Sequence, residues 1–306
     1  MPLGVLLALL SYSVYSIADA VIKSFGSSAL SAFEISFFCN VFALVAIPFA
    51  RSPGDNWRDI FRFRRPWLMN ARAFLQTVAG LCFVVAIINI PFAETYSLVF
   101  LTPLFLTLLS VIVLKEDVPV IRWLLVATSF VGVLIVVRPG FQELNIGHVA
   151  AVACAFASAA AMVFLRIVST GERHTSIIAL TSLYQLTIAG ALMLANGFVV
   201  PTPDQFLLLA VSGGLAGAGQ LLIIRAMQLA PASQIGPTNY VQILWAVVLG
   251  ALFFQETQDA IGYAGLALIV IAGVATVFSD GAQARLAGRW SEFRARRGET
   301  NLPEGP

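Results

Sequence analysis

Residues 91–116 read PFAETYSLVFLTPLFLTLLSVIVLKE, and residues 231–256, which lie 140 positions further on, read PASQIGPTNYVQILWAVVLGALFFQE. Both segments begin with proline, continue through an apolar run and end in glutamate. The same shift places Leu109 on Leu249 and Val137 on Val277 without a gap. Because about 20 apolar residues in a helix cross the hydrocarbon core of a bilayer, each segment is predicted to be a transmembrane helix. The pair also predicts an internal repeat.

The composition places the whole chain in a membrane. Of its 306 residues, 59% are hydrophobic and only 11% are charged. A soluble domain carries roughly 25% charged residues, so the surface of this chain is predicted to face acyl chains. The small net charge of +2 argues against a nucleic-acid partner. The lipid bilayer and a small-molecule solute are the expected partners, and the sequence favours neither a monomer nor a homodimer.

Ten apolar segments of spanning length follow one another along the chain. They end where proline, glycine and charge cluster, as at Ile90-Pro91, Val118-Pro119 and Val200-Pro201. The predicted spans are 3–23, 29–50, 67–88, 91–114, 119–137, 146–168, 175–197, 204–228, 232–254 and 260–279.

Basic residues predict the orientation of these spans. Lys and Arg accumulate in the short loops on the cytoplasmic side of a membrane. With both termini in the cytoplasm, all of the 18 basic residues except Lys23 and Arg138 fall on that side. An even number of spans is required for this distribution, because the loss of one span would exchange the sides of every residue after it. The stretch 281–306 is predicted to be a basic cytoplasmic tail.

The repeat extends to the first span of each half. A shift of 143 residues places Gly4 on Gly147 and Lys23 on Arg166. With five spans in each repeat, the second repeat must enter the membrane from the opposite face. The predicted fold is an all-α membrane protein of ten transmembrane helices in two inverted five-helix repeats, residues 1–140 and 141–280. Such repeats are typical of alternating-access transporters, whose substrate site lies between the halves near mid-membrane.

Neither an enzyme nor a metal site is predicted. Cys39, Cys82 and Cys154 lie singly in apolar runs, and His148 and His174 lie near predicted helix ends, so the spacing of a metal site is absent. No Gly-x-Ser-x-Gly or His-Glu-x-x-His motif occurs. We therefore predict no catalytic residue and no cofactor. A channel is also disfavoured, because the polar residues gather toward a central zone and do not form continuous stripes.

Several stretches resemble the drug/metabolite transporter superfamily, in particular its EamA branch. They are DAVIK at 19–23, FEISFF at 33–38, LVFLTP at 98–103 and GVLIVVRPG at 132–140. The resemblance implies ten helices and secondary transport or exchange of metabolites that range from amino acids to nucleotide-like compounds. Within the family we favour the YddG-type amino-acid exporters. Relatives with this second-span pattern usually carry Arg where Cys39 stands here.

Polar residues inside the spans are the candidates for a substrate site. An ionisable group costs roughly 2.5–3.5 kcal/mol at the centre of a spanning helix, so each one needs a partner or a function. Asp19 lies four residues before Lys23, so the two share a helix face and can form an ion pair, tied to the second span through Glu34. Proton coupling or binding of a substrate amine is the alternative for Asp19. Glu116 and Glu256 are expected at mirrored span ends, as gate or loop contacts.

We expect the site to lie in a central cavity lined by spans 1, 3, 4, 6, 8 and 9. Gln242 aligns with Thr102 across the repeat, as a pseudo-symmetric site requires. Core packing is the alternative role for the aromatic candidates. The predicted substrate-binding residues are Tyr12, Tyr15, Asp19, Gln76, Tyr96, Thr102, Gln220, Asn239, Tyr240, Gln242 and Trp245.

A cavity that mixes aromatic rings with amides and hydroxyls suits an amphipathic solute. The sequence therefore predicts a secondary transporter of the bacterial inner membrane that exports an amino acid or a related metabolite by alternating access. Uptake or exchange of a nucleotide-like or vitamin-like metabolite is the alternative, and a membrane-embedded enzyme is a remote one.

Overall fold

The computed structural model describes residues 3–45, 63–138, 144–168, 174–230 and 232–276. Over these ranges the regular structure is helical, with no strand. The helices are α1 (Leu3–Lys23), α2 (Ala32–Ala43), α3 (Pro66–Asn89), α4 (Phe92–Val99), α5 (Thr102–Leu114), α6 (Val120–Val137), α7 (Ile146–Val168), α8 (His174–Ala195), α9 (Pro203–Leu229), α10 (Ala232–Ile235), α11 (Val241–Phe254) and α12 (Ala260–Thr276).

Eight helical segments in the described ranges are long and apolar enough to cross a membrane. Two of the ten predicted spans correspond to the shorter apolar helices α2 and α12. Both of those predicted spans continue into residues outside the described ranges, at 46–50 and 277–279. The predicted tail at 281–306 and residues 51–62, between the second and third predicted spans, also lie outside the described ranges.

Proline divides the fourth span into α4 and α5. Pro103 has no N–H to give to the carbonyl of Val99, four residues earlier. The Thr102 hydroxyl donates to that carbonyl instead, with 2.6 Å between Oγ1 and the oxygen. The ninth span is interrupted in a similar way, because a 3-10 turn at Gly236–Tyr240, with Pro237 in its first turn, separates α10 from α11. Both interruptions fall where the sequence places proline.

Helices from the two halves of the chain are interleaved. The first span packs on the eighth, since Ser11 donates to the carbonyl of Gly219 (2.8 Å) and Ser212 to that of Ala18 (3.1 Å). The sixth span, α7, packs on the third, α3. At one end of this second pair the rings of Trp67 and Phe164 are 6.2 Å apart. At the other end Asn145 Nδ2 donates to the carbonyl of Asn89 (3.1 Å), so α3 and α7 are antiparallel.

Candidate functional site

A cavity of about 410 Å³ lies between helices from both halves of the chain. Its volume is within the range of about 300–1,000 Å³ that is usual for small-molecule sites. Helices α1, α2, α3, α8 and α9 form its walls. The polar residues that line it are Tyr15, Asn40, Arg72, Gln76, Thr181, Ser182, Gln185 and Gln220.

Most of these polar groups are connected across helix boundaries. Tyr15 of α1 donates its hydroxyl hydrogen to Gln220 Oε1 of α9 at 2.8 Å. The amide of Asn40 on α2 donates to Gln185 Oε1 on α8. Arg72 Nη1 of α3 donates to Thr181 Oγ1 of α8 at 3.0 Å. The cavity wall is therefore a set of hydrogen-bonded pairs that couples spans from the two halves.

Small residues on α9 bring it close to the cavity and to α2. Gly213 is buried against the Cys39 carbonyl of α2, where a Cβ atom would overlap that group. Ala216 and Gly217, within the next turn, line the cavity. The small-residue stripe thus supplies both a close helix contact and a wall that leaves room for a solute. A second cavity of about 190 Å³ adjoins the first along α2, α3, α8 and α9. The two share Asn40, Ala43, Gln185 and Ala216.

A second polar cluster joins α1, α4 and α11. The Tyr96 hydroxyl donates to Asp19 Oδ2 at 2.5 Å. Gln242 Nε2 donates to the oxygen of the same hydroxyl at 3.2 Å. Asp19 lies one helical turn beyond Tyr15 on α1, so this cluster continues from the cavity wall toward the end of α1.

The predicted site residues fall into three groups. Tyr15, Gln76 and Gln220 line the cavity. Asp19, Tyr96 and Gln242 form the hydrogen-bonded cluster. The remaining five lie elsewhere. Tyr12 packs against the cluster of Ala8 and Ile223, the ring of Tyr240 stacks on that of Phe100 at 4.8 Å, and Trp245 Nε1 donates to Ser13 Oγ at 2.8 Å. The Thr102 hydroxyl donates to the Val99 carbonyl, and the buried Oδ1 of Asn239 has no hydrogen-bond partner among the described residues.

The helices that form the cavity differ from those that the sequence predicts. The fourth, sixth and ninth spans contribute no residue to the described lining, whereas α2, the second span, and α8, the seventh span, do. Sequence reasoning missed Asn40, Thr181 and Gln185 as candidates. The signal was present, because Asn40 and Gln185 are amides in the middle of apolar spans, where lipid offers no partner.

Lys23 does not pair with Asp19, in contrast to the expected ion pair. Its Nζ lies 2.8 Å from Glu256 Oε1 and donates to the Ile90 carbonyl at 2.8 Å. Tertiary packing decides this, since the end of α1 meets the loop after α11. The hydrogen-bond partners of Glu34 lie elsewhere: the N–H of Ser31 donates to Oε2 at 2.6 Å in the capping box of α2, and the N–H of Val199 donates to Oε1 at 2.6 Å.

A second ion pair joins the two positions that the repeat aligns with Lys23 and Glu256, and it also connects the two halves. Arg166 Nη1 at the end of α7 lies 2.9 Å from Glu116 Oε2, just after α5. Both glutamates follow a residue in the left-handed conformation, Lys115 (φ 53°) and Gln255 (φ 56°). The N–H of each glutamate donates to the carbonyl six residues earlier, at 3.2 Å for Glu116 and 3.0 Å for Glu256. The same helix ending therefore presents the carboxylate in both places.

The two ion pairs lie at opposite ends of the bundle. Lys23 bonds to the last residues of α3, whereas Arg166 lies at the end of α7, where Phe164 contacts Trp67 at the start of α3. We refer to these as the Lys23 end and the Arg166 end. Arg72 is in the second turn of α3, so the cavity lies toward the Arg166 end.

Comparison with known proteins identifies the family. The model of the EamA-like transporter family matches the chain twice, at residues 2–138 and 145–278. The chain belongs to the EamA-like transporter family. It is therefore a multi-pass membrane transporter and not an enzyme.

The relatives transport different solutes. The chain is 31% identical to the pseudopaline exporter CntI of Pseudomonas aeruginosa over 89% of this chain and 95% of the relative. It is 26% identical to a riboflavin transporter of Rhizobium johnstonii over 76% of each chain. It is 23% identical to an S-adenosylmethionine uptake transporter of Rickettsia bellii, over 87% and 91% of the two chains. A solved crystal structure of a protein has the same fold, with a TM-score of 0.63 and 16% identity over 90% of this chain and 96% of that one.

Proposed function

We propose that this transporter exports a small amphipathic metabolite, an amino acid or a related compound, across the bacterial inner membrane. The observation that carries the proposal is the 410 Å³ cavity, whose wall mixes amides, hydroxyls and one guanidinium with apolar side chains from both halves of the chain. Such a wall binds a solute that is polar at one end and apolar elsewhere. The similarity to the pseudopaline exporter favours export.

The mechanism that we propose is alternating access by two inverted repeats, residues 1–140 and 141–280, with ten spans and both termini in the cytoplasm. Support comes from the double match to the family model and from the interleaving of the first and sixth spans with the eighth and third. The corresponding ion pairs at the two ends add to this support. The segment 281–306 is then a basic cytoplasmic tail.

The eleven predicted site residues then divide by role. Tyr15, Gln76 and Gln220 contact the solute directly, because they line the cavity. Asp19, Tyr96 and Gln242 form a cluster that takes up a proton or a substrate amine. The other five hold the helices that move: Tyr12, Thr102, Asn239, Tyr240 and Trp245.

Uptake or exchange of a nucleotide-like or vitamin-like metabolite is the second candidate function. Relatives that take up S-adenosylmethionine or are named riboflavin transporters favour it. Arg72 is the only charged group among the described residues that line the cavity, which disfavours solutes with several phosphates.

The test is a thermal-shift screen of the purified protein against amino acids, vitamins and nucleotides, followed by flux measurements in proteoliposomes with and without a pH gradient. The proposal expects an amino acid or related compound to raise the melting temperature and to cross the membrane. Gln220→Leu, which removes a cavity amide, should slow that flux, whereas Thr187→Leu at an exposed position of α8 should not. Flux of vitamins or nucleotides alone would support the second candidate, and flux of none of these solutes would contradict both.

A further inference from the structure

We infer that the guanidinium of Arg72 is the group that binds a carboxylate of the transported solute. This inference rests on the proposed function and adds a chemical requirement to it: the solute must be a carboxylate, most simply a zwitterionic or singly anionic one.

The charge distribution in the cavity supports an anionic ligand. No Asp or Glu is among the described residues that line the cavity, and Arg72 is the only one of them that carries a full charge. The remaining polar lining residues are amides and hydroxyls, which are neutral. A guanidinium in such surroundings has no counter-ion inside the cavity. A solute that carries a carboxylate would supply one.

The hydrogen bonds of Arg72 leave donors available. A guanidinium has five N–H donors in a planar fork that matches the two oxygens of a carboxylate. Nη1 donates to Thr181 Oγ1 at 3.0 Å. Nε is buried and has no hydrogen-bond partner among the described residues. A carboxylate in the cavity can instead accept from Nη2, which donates to none of the described residues and keeps accessible surface.

The surroundings of Arg72 suit the rest of such a solute. Gln76 is four residues further along α3 and faces the same cavity. Tyr15 and Gln220, which also line the cavity, are bonded to each other. Ile177 and Leu221 supply apolar surface. A solute held at Arg72 by its carboxylate therefore has both amides and apolar side chains around it in the same cavity.

A merely structural role for Arg72 is the competing interpretation, because the bond to Thr181 ties α3 to α8. The two roles predict different ligand selectivity. A structural tie affects the binding of a carboxylate and of its neutral amide equally, whereas an anion site distinguishes the two.

The experiment measures binding of two matched pairs of probes to the full-length protein in detergent: phenylalanine with phenylalaninamide, and indole-3-acetate with indole-3-acetamide. The second pair lacks an amino group, so it tests the carboxylate alone. We expect at least one carboxylate to bind more tightly than its amide, by about tenfold to a hundredfold for a charge-assisted hydrogen-bonded pair. Arg72→Gln should remove that preference.

Two further variants separate the roles. Arg225→Gln removes a charge of the same kind from an exposed position on α9, and it should leave the carboxylate preference unchanged. Thr181→Val breaks the bond between α3 and α8 but retains the guanidinium, and the preference should persist. If Thr181→Val and Arg72→Gln lose it equally, or if neither carboxylate binds better than its amide, the inference is wrong.

The outcomes also separate this inference from the proposed function. Carboxylate-selective binding at Arg72 without flux of any screened solute would contradict the transport proposal and leave the site standing. If amino acids and their amides cross the membrane at equal rates, both in the parent protein and in Arg72→Gln, the transport proposal is supported and the carboxylate site is overturned.

Discussion

The repeat relates the Lys23–Glu256 pair to the Arg166–Glu116 pair. Each pair joins a residue of one half to a residue of the other, and the two pairs differ in their surroundings. The Lys23 side chain is only 8% exposed, and Glu256 22%. The Arg166 side chain is 61% exposed, and Glu116 36%. The same local chemistry is therefore buried at one end of the bundle and solvated at the other.

The buried pair is linked to several helices. Glu256 Oε2 accepts a hydrogen bond from the N–H of Phe92 at 2.7 Å, and Lys23 bonds to the end of α3. A further buried pair, Glu94 and His148, lies at the same end, with 3.2 Å between Oε2 and Nε2. Together these contacts join α1, α3, α4, α7 and α11. The difference indicates that the Lys23 end is closed, while the cavity lies toward the other end.

The largest effect is expected at Asp19, one turn before Lys23 on α1. Asp19→Asn removes a carboxylate that can exchange a proton, so flux driven by a pH gradient should fall to the level of empty liposomes while solute exchange continues. Tyr96→Phe is the matched control, since it removes the hydrogen bond to Asp19 but keeps the carboxylate, and driven flux should persist. Loss of exchange together with driven flux would indicate that Asp19 binds a substrate amine, and loss of protein level would show that Asp19 is structural.

The next effect concerns the buried pair itself. Lys23→Met leaves Glu256 partly buried without its cation, and removal of one partner from a buried pair costs about 3 kcal/mol. The free energy of unfolding, measured in mixed detergent micelles, should fall by that order. The double variant Lys23→Met/Glu256→Gln should recover part of the loss, because no uncompensated charge is then left. If the double variant loses as much free energy of unfolding as Lys23→Met and Glu256→Gln lose separately when added together, the two side chains are not coupled.

A smaller effect is expected at the exposed pair. Arg166→Met should change the free energy of unfolding by less than about 1 kcal/mol, since exposed ion pairs contribute little. The same unfolding measurement as for Lys23→Met tests this. Equal losses for the two variants would contradict the difference between the ends.

The smallest effect is expected from pH at the Lys23 end, outside the spans. The hydrogen bond from Arg138 lowers the pKa of the exposed Asp259 carboxyl below its ordinary value. A lowered folded-state pKa stabilises the protein above the unfolded pKa and loses that contribution as the pH falls through the folded one. Asp259→Asn should therefore be slightly less stable than the parent between pH 5 and 7, and the gap should close below about pH 4. If the stability difference between the parent and Asp259→Asn widened as the pH fell, the prediction of a lowered pKa for Asp259 would be wrong.

The local features of the fold are predictable from the sequence. Hydropathy predicts the two spans, and Pro103 and Gly236-Pro237 explain why each is interrupted. Proline lacks the N–H that a helix needs, and glycine favours turns. The capping residues Ser31 and Glu34 begin α2 for a similarly local reason.

Long-range partners were not predictable in the same way. Asp19 and Lys23 share a face of α1, yet Tyr96 and Glu256 engage them, because elements more than seventy positions away reach those side chains. For the same reason the sequence does not reveal that the second span (α2) and the seventh span (α8) line the cavity, in place of the fourth and ninth spans. The choice of partner depends on how helices pack, and local spacing carries no information on that.

The most direct test of the account measures access to the cavity from each side of the membrane. Ser182→Cys places a thiol in the cavity wall, in a background in which Cys39, Cys82 and Cys154 have been replaced. With both termini in the cytoplasm, as proposed, the Arg166 end faces the cytoplasm. In vesicles of known orientation, an impermeant maleimide should react faster from the cytoplasmic side, and Lys23→Met should speed the reaction from the opposite side. Equal rates from both sides, or a faster reaction from the outside before that substitution, would contradict a bundle that is closed at the Lys23 end.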